Sequence, residues 1–390
     1  MGLWGRLTAL AAVGGTGLAV ISGAAGWDTT HRILAALALP PLAALAATAW
    51  VTARRLLPSA LAAIALFGLA ALLTTRGVHL AVAALAFGAT TLVAAQTFRG
   101  APQVPGVPRD YLTLTKPRIM SLLLLTGAAG LFVGAGGAPA LWPALATMAG
   151  LALACGGASA LNHYLDRDID RLMGARTEAR PVASGRVGEQ HALEFGLALS
   201  ACSFVLLDSL VNFPTAVLAL AGNLFYVLVY TRWLKRSTVQ NIVIGGAAGA
   251  VPPLVGFAGA TGRLGWGALA MFAIVFVWTP PHFWALALML KEHYSRAKVP
   301  MLPVVKGDAE TARQIVRYTF VLIAVTLLPV ALGVFGVAYG IAAAVLGALF
   351  AWYAIELRRT LERRTAARLF HYSLLYLALL FVAMAVDTLV

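Results

Sequence analysis

Apolar runs of about twenty residues recur almost without a break along all 390 residues, and a chain with this pattern is expected to fold as a bundle of membrane-spanning helices. Thirteen spans are predicted, near residues 7–25, 33–52, 57–75, 79–97, 119–137, 140–161, 192–211, 214–231, 241–260, 265–288, 313–334, 337–357 and 369–389. The fold class is therefore an all-α polytopic membrane protein. With 61% apolar and only 11% charged residues, a soluble domain is excluded.

The net charge of +14 could suggest nucleic acid, but the Lys and Arg residues sit in short loops between spans, where membrane topology uses them. No nucleic-acid partner is expected. Arg6, Arg54, Arg55, the 99–118 stretch, the 167–186 loop, Arg232, Lys235, Arg236, residues 291–306 and residues 358–368 all fall on one side. The other side carries almost nothing basic beyond Arg32, Arg76 and Arg263. The positive-inside rule makes the first side the cytoplasm, so a cell (inner) membrane protein with its N-terminus inside and its C-terminus outside is expected. The first span reads as a retained helix, and Cys155 and Cys202 as small buried hydrophobes. Residues 99–110, RGAPQVPGVPRD, are rich in Pro and Gly and lack apolar periodicity. They read as a linker between a four-helix module, 1–98, and a nine-helix domain, 111–390.

The chemistry concentrates in LNHYLDRDIDRLMGARTEARPVASGR. Asn162, Asp166 and Asp170 stand at i, i+4 and i+8, which stacks one amide and two carboxylates on one helical face. Such hard oxygen ligands suit Mg²⁺, which takes one or two carboxylates and completes its shell with water and phosphate oxygens. Arg167, Arg171, Arg176, Arg180 and Arg186 follow the first aspartate, and carboxylates that hold a metal with cations after them that could hold phosphate describe a metal-diphosphate site. The other reading is a solvated loop, because alternating charge often marks an exposed helix face.

Three further stretches fall on the same side. LTKPRIMS brings Lys116 and Arg118 to a helix start at Pro117, as topology anchors or substrate contacts. VYTRWLKRSTVQN offers Tyr230, Arg232, Lys235, Arg236 and Asn241, with a phosphate contact expected of Lys235 and a topology role of Arg232. In residues 279–308, Pro280 and Pro281 disturb a helix and His282 lies inside the apolar span, as a hydrogen-bonded core residue or a substrate contact.

The stretches YLTLTKPRIMSLLLLT, ALNHYLDRDIDRLMGART with RPVASG, YTRWLKRSTVQNIVIGGAAGAVPPLVG, and PPHFWALALMLKEHY with VPMLPVVKG resemble the UbiA superfamily of intramembrane prenyltransferases, and within it the heme-directed branch. The resemblance implies a nine-helix ring capped by the loops after its second and sixth helices. It implies transfer of a farnesyl group from farnesyl diphosphate to a vinyl group of heme B, giving heme O, with Mg²⁺. Carried over, Asn162, Asp166 and Asp170 would hold metal and diphosphate, and Arg180 and Lys235 would contact diphosphate. Lys116, Arg118, Arg176, Arg186, Tyr230, Arg236, His282, Glu292 and Tyr294 are further candidates for substrate contact. In this branch an acidic residue is expected directly before the tyrosine of the second loop, whereas here His293 precedes Tyr294. Either Glu292 makes a second metal contact or one Mg²⁺ is held chiefly by the first motif.

In the front module, His31 begins the second predicted span and His79 the fourth, so both imidazoles lie at one depth, a geometry able to ligate one heme. They read equally as interfacial histidines wetted by headgroups. THRILAALA and VHLAVAALAFGATTLVAA resemble one four-helix half of heme A synthase, which implies a heme-binding half-module, with heme A synthase as a partner. Two rivals to the main reading are prenyl transfer to a quinone-type aromatic acceptor and a non-enzymatic heme-binding carrier.

Overall fold

The computed structural model describes residues 9–16, 38, 40–46, 64 and 106–389. His31, His79 and most of the four-helix module lie outside the described residues. Among the described residues nine helices are long and apolar enough to cross a membrane: α1 (Pro117–Ala135), α2 (Leu141–Leu165), α3 (Glu189–Leu210), α4 (Phe213–Ser237), α5 (Asn241–Thr261), α6 (Trp266–Met289), α7 (Asp308–Ala331), α8 (Val337–Thr360) and α9 (Arg363–Asp387). These are the nine spans predicted after residue 111. A short helix, Pro108–Leu114, already begins inside the segment expected as linker, with Pro108 at its first turn, where a missing N–H costs nothing.

Each membrane helix packs on its neighbours in sequence and α9 returns to α1, closing a ring; α5 also packs along α1 and α6 along α9. Small residues make the α1–α5 contact: a Cβ placed on Gly256 would lie 1.9 Å from the Gly127 carbonyl oxygen. Close backbone approach of this kind is how membrane helices associate when lipid is as apolar as leucine. The proline pairs shape the ring. Pro252 and Pro253 stand at the start of the second half of α5, where Ala250 separates the helical segments Asn241–Gly249 and Val251–Thr261. Pro280 and Pro281 lie inside α6. In α4 the winding changes: Phe225–Leu234 is a π-helix, a rare form that is frequent at functional sites.

Candidate active site

α2 ends at Leu165, and the chain continues through Asp166 into the short helix Arg167–Leu172 without losing its register. Asp166 N–H donates to Asn162 O and Asp170 N–H to Asp166 O, each at 2.8 Å, so the i, i+4, i+8 face persists across the junction. All three side chains are buried: Asn162 is 3% exposed, Asp166 0% and Asp170 1%. That excludes the solvated-loop reading. Charge this deep must be paired.

The pairing comes from three other segments. Lys235, itself buried at the end of α4, places Nζ 2.5 Å from Asp166 Oδ2. Arg180 Nη1 lies 2.6 Å from Asp170 Oδ1. Lys116 Nζ donates to Asn162 Oδ1 at 2.7 Å, while Asn162 Nδ2 donates to Asp166 Oδ2 at 2.8 Å and to Thr231 Oγ1 at 3.1 Å. Lys116 reaches this position from a left-handed backbone, φ 51°, directly before Pro117. A non-glycine residue there costs on the order of 1–3 kcal/mol, strain of the kind that clusters at ligand sites. Burial, and then the positive charge of Arg180, lower its ammonium pKa to about 7. Burial also pushes the Asp170 carboxyl above its usual range, against the pull of Arg180.

Arg236 does something different. It holds Asp168 with two bonds, at 2.6 and 2.7 Å, and the Leu165 carbonyl at 2.6 Å. The Asp168 carboxyl is held down at about 2, chiefly by that hydrogen bonding. Arg236 thereby clamps the turn that carries the carboxylates, and stands 3.8 Å from Asp166 Oδ1. The π-turn in α4 bonds residues five apart, which brings Tyr226 and Thr231 toward one face and leaves Lys235 one turn on. Tyr226 and Tyr230 stack with centroids 5.5 Å apart. Gly245 makes room for Tyr230, since a Cβ there would come within 2.3 Å of Tyr230 Cδ2.

Several expected residues are not brought in. Glu292 is 86% exposed and lies 4.0 Å from Arg296, so its carboxylate faces solvent. The reason is helical phase: Tyr294, two residues on, is the buried face of Lys291–Arg296, and two residues rotate a side chain by about 200°. Tyr294 is 8% exposed, its hydroxyl pKa pushed up to about 12 by burial. Arg118 is exposed. Arg186 ties the cap to Asp110 of the Pro108–Leu114 helix at 3.0 Å. The Arg176 side chain lies outside what the structure describes. His282 is 6% exposed and bonded through Nδ1 to Ser373 Oγ at 2.6 Å. His293, in the position expected to be acidic, packs on Gly174, where a Cβ would lie 3.1 Å from its Cδ2; the loops after α2 and α6 thus touch.

Thr231, Tyr226 and His163 join the site without having been anticipated. His163 is 2% exposed, both ring nitrogens lack a hydrogen-bond partner among the described residues, and Lys116, Arg180 and Lys235 lie close enough to act on it electrostatically. No sequence pattern marked these three, because a π-turn and a histidine beside the motif carry no periodic signal.

Two carboxylate oxygens, Asp166 Oδ1 and Asp170 Oδ2, are buried without a hydrogen-bond partner among the described residues. Buried anionic oxygens left over after pairing fit a hard cation. No group of three or more His, Cys, Asp or Glu could hold a metal among the described residues. The oxygens present are therefore the two carboxylates and the Asn162 amide, few enough that water or substrate oxygens would have to complete the shell of any bound cation.

The model of the UbiA prenyltransferase family matches residues 123–382. A relative from Roseiflexus sp. (strain RS-1) named protoheme IX farnesyltransferase is 54% identical over 286 residues, which are 73% of this chain and 53% of that protein. Another of that name from Symbiobacterium thermophilum is 54% identical over 283 residues, 72% of this chain and 94% of that protein. The chain therefore spans about half the length of the Roseiflexus relative and nearly all of the Symbiobacterium one. Among solved structures, a digeranylgeranylglyceryl phosphate synthase superposes with TM-score 0.61 at 18% identity, covering 72% of this chain and 98% of that one. A UbiA homolog from Archaeoglobus fulgidus bound to GPP and Mg²⁺ gives TM-score 0.54 at 19% identity, covering 70% and 99%. These two likenesses establish the ring fold.

Proposed function

The chain belongs to the UbiA prenyltransferase family, and from that premise we propose that it transfers the farnesyl group of farnesyl diphosphate to a vinyl group of heme B, giving heme O and diphosphate. The observation that carries the reading is the 54% identity to a protoheme IX farnesyltransferase of which this chain covers 94%, across a segment holding the buried carboxylate–cation cluster.

The donor's diphosphate would lie among Lys116, Arg180 and Lys235, whose charges match an anion that gains charge as the allylic C–O bond breaks. Asn162, Asp166 and Asp170 would hold Mg²⁺, which when bound supplies a Lewis acid to the leaving group. Thr231 and Lys116 fix the Asn162 amide, and Arg236 fixes the turn through Asp168, so the ligands are preorganised. With diphosphate gone, the allylic carbocation is taken by the electron pair of the vinyl group, forming the new C–C bond. Water adds to the cation that this leaves, and one proton is lost to solvent. Burial by Tyr226, Tyr230 and Tyr294 keeps bulk water from the first cation.

The same reading puts the site on the cytoplasmic side of the inner membrane, with the N-terminus inside and the C-terminus outside, in keeping with the Lys and Arg asymmetry. A partner that consumes heme O, such as heme A synthase, and a heme on His31 and His79 belong to the same proposal. The test is label partition. Purified protein with Mg²⁺ and [1-³H]farnesyl diphosphate is offered heme B together with a quinone-type aromatic acceptor. Label in the heme fraction at the mass of heme O supports the reading; label in the aromatic acceptor overturns it.

A further inference from the structure

The carboxylate cluster accounts for the diphosphate substrate and leaves the acceptor unheld. We propose that His282 ligates the iron of the porphyrin acceptor through Nε2, with Ser373 as the positioning residue that sets the tautomer; this rests on the heme-directed reading above.

The argument starts from hydrogen count. Ser373 Oγ has one hydrogen, and it donates to the Phe370 carbonyl at 2.6 Å. When that hydrogen goes to the carbonyl, the hydroxyl accepts toward His282 Nδ1, also 2.6 Å away, and Nδ1 carries the ring proton. The neutral ring keeps its lone pair on Nε2, the form that binds metal. A metal-binding imidazole commonly donates its other N–H to a fixed acceptor in this way.

The ring cannot turn. Trp278 stacks on one face with centroids 4.3 Å apart and Phe370 on the other at 4.8 Å. Trp278 Nε1 also donates to the Ser373 carbonyl at 2.8 Å, locking α6 to α9 at this level. With both faces covered, Nδ1 committed and Phe283 in edge contact at 5.4 Å, Nε2 is the ring atom left for a ligand. His282 Nε2 has no hydrogen-bond partner among the described residues, yet it does not belong with the sealed, unpartnered nitrogens such as both of those of His163. It therefore retains accessible surface. α6 ends at Met289, so His282 lies about 10 Å along the helix from its C-terminal end, the end from which the loop after α6 reaches the loop after α2. Ligation would also give the site a reason to prefer an iron porphyrin over a metal-free aromatic ring.

The experiment uses the full chain in lipid nanodiscs carrying His31→Ala and His79→Ala, so that the front module adds no ligand. Ferric heme B is titrated in without farnesyl diphosphate, and the Soret spectrum and iron–histidine Raman band are read. The expected result is an imidazole-ligated spectrum that His282→Ala loses, with at least tenfold weaker heme binding and ligation restored by added imidazole. Ser373→Ala, which keeps the ring, should retain ligation but weaken binding about tenfold or more, the usual cost of removing such a partner. Thermal melting of each variant separates ligation from misfolding. An unchanged spectrum and affinity in both variants overturns the proposal. Farnesylation of heme B with no ligation by His282 overturns it while leaving the transferase reading intact. Ligation lost with His282, but no farnesylation of heme B or of iron-free protoporphyrin, keeps the ligand and overturns the transferase.

Discussion

Replacing Lys235 by methionine keeps the chain length and removes the charge that faces Asp166. Asp166 is 0% exposed, Lys235 9%, and their atoms meet at 2.5 Å, so the pair is a buried one. Removing one partner of such a pair costs about 3–5 kcal/mol, because the other charge is left uncompensated. Asn162 Nδ2 still reaches Asp166 Oδ2 at 2.8 Å, and Arg236 stands 3.8 Å from Oδ1, which places Lys235→Met at the lower end, about 3 kcal/mol. Asp166→Asn strands the ammonium instead and should cost a similar amount. The double variant buries neither charge and should cost much less than the two singles together, a coupling of about 2–3 kcal/mol. Denaturant unfolding of all four proteins in mixed micelles measures it. Single costs that add to within about 0.5 kcal/mol would refute the buried-pair reasoning.

Other outcomes follow from the same geometry. Glu292→Gln should leave the transfer rate and the Mg²⁺ half-saturation unchanged within error, because its side chain is 86% exposed; a tenfold loss would return it to the site. Gly245→Ala should cost about 1–3 kcal/mol by driving a methyl into Tyr230, read as a lower melting temperature, and an unchanged melt would show that Tyr230 has room to move. Thr231→Val removes one acceptor from the Asn162 amide and should lower the transfer rate by about tenfold or less, whereas a null effect would mean that Lys116 and Asp166 orient the amide alone. Chelation of divalent metal should abolish transfer and Mg²⁺ restore it, with Asp170→Asn needing more metal for the same rate; activity that survives chelation would contradict the reading of the two unpartnered oxygens.

The nine spans after residue 111 were legible because hydrocarbon leaves a chain few options and apolar length reports them directly. Where boundaries moved, the cause is polar first turns: DAETAR and RRTAAR are helical in α7 and α9 but too charged for an apolar run, so the predicted spans began later. The shared face of Asn162, Asp166 and Asp170 was legible because the α-helical period that aligns them continues into the cap. Thr231 and Tyr226 were not, since they depend on a π-turn that local sequence does not announce. The solvent-facing position of Glu292 was not legible, because identity suggests a ligand while helical phase turns the side chain outward. Lys116 could be read as an anchor or a contact, and its position against Asn162 depends on a left-handed backbone that the sequence does not announce.

The most direct test of the central claim, that the buried carboxylate–cation cluster activates a prenyl diphosphate for transfer to heme, is a single-turnover reaction. Wild type and an Asp166→Asn/Asp170→Asn variant, both confirmed as folded by melting, receive Mg²⁺, heme B and [1-³H]farnesyl diphosphate. Transfer of label to heme O by the wild type, with loss of at least a thousandfold in the variant, is the predicted result. Equal transfer by both, or none by folded wild type, would contradict it.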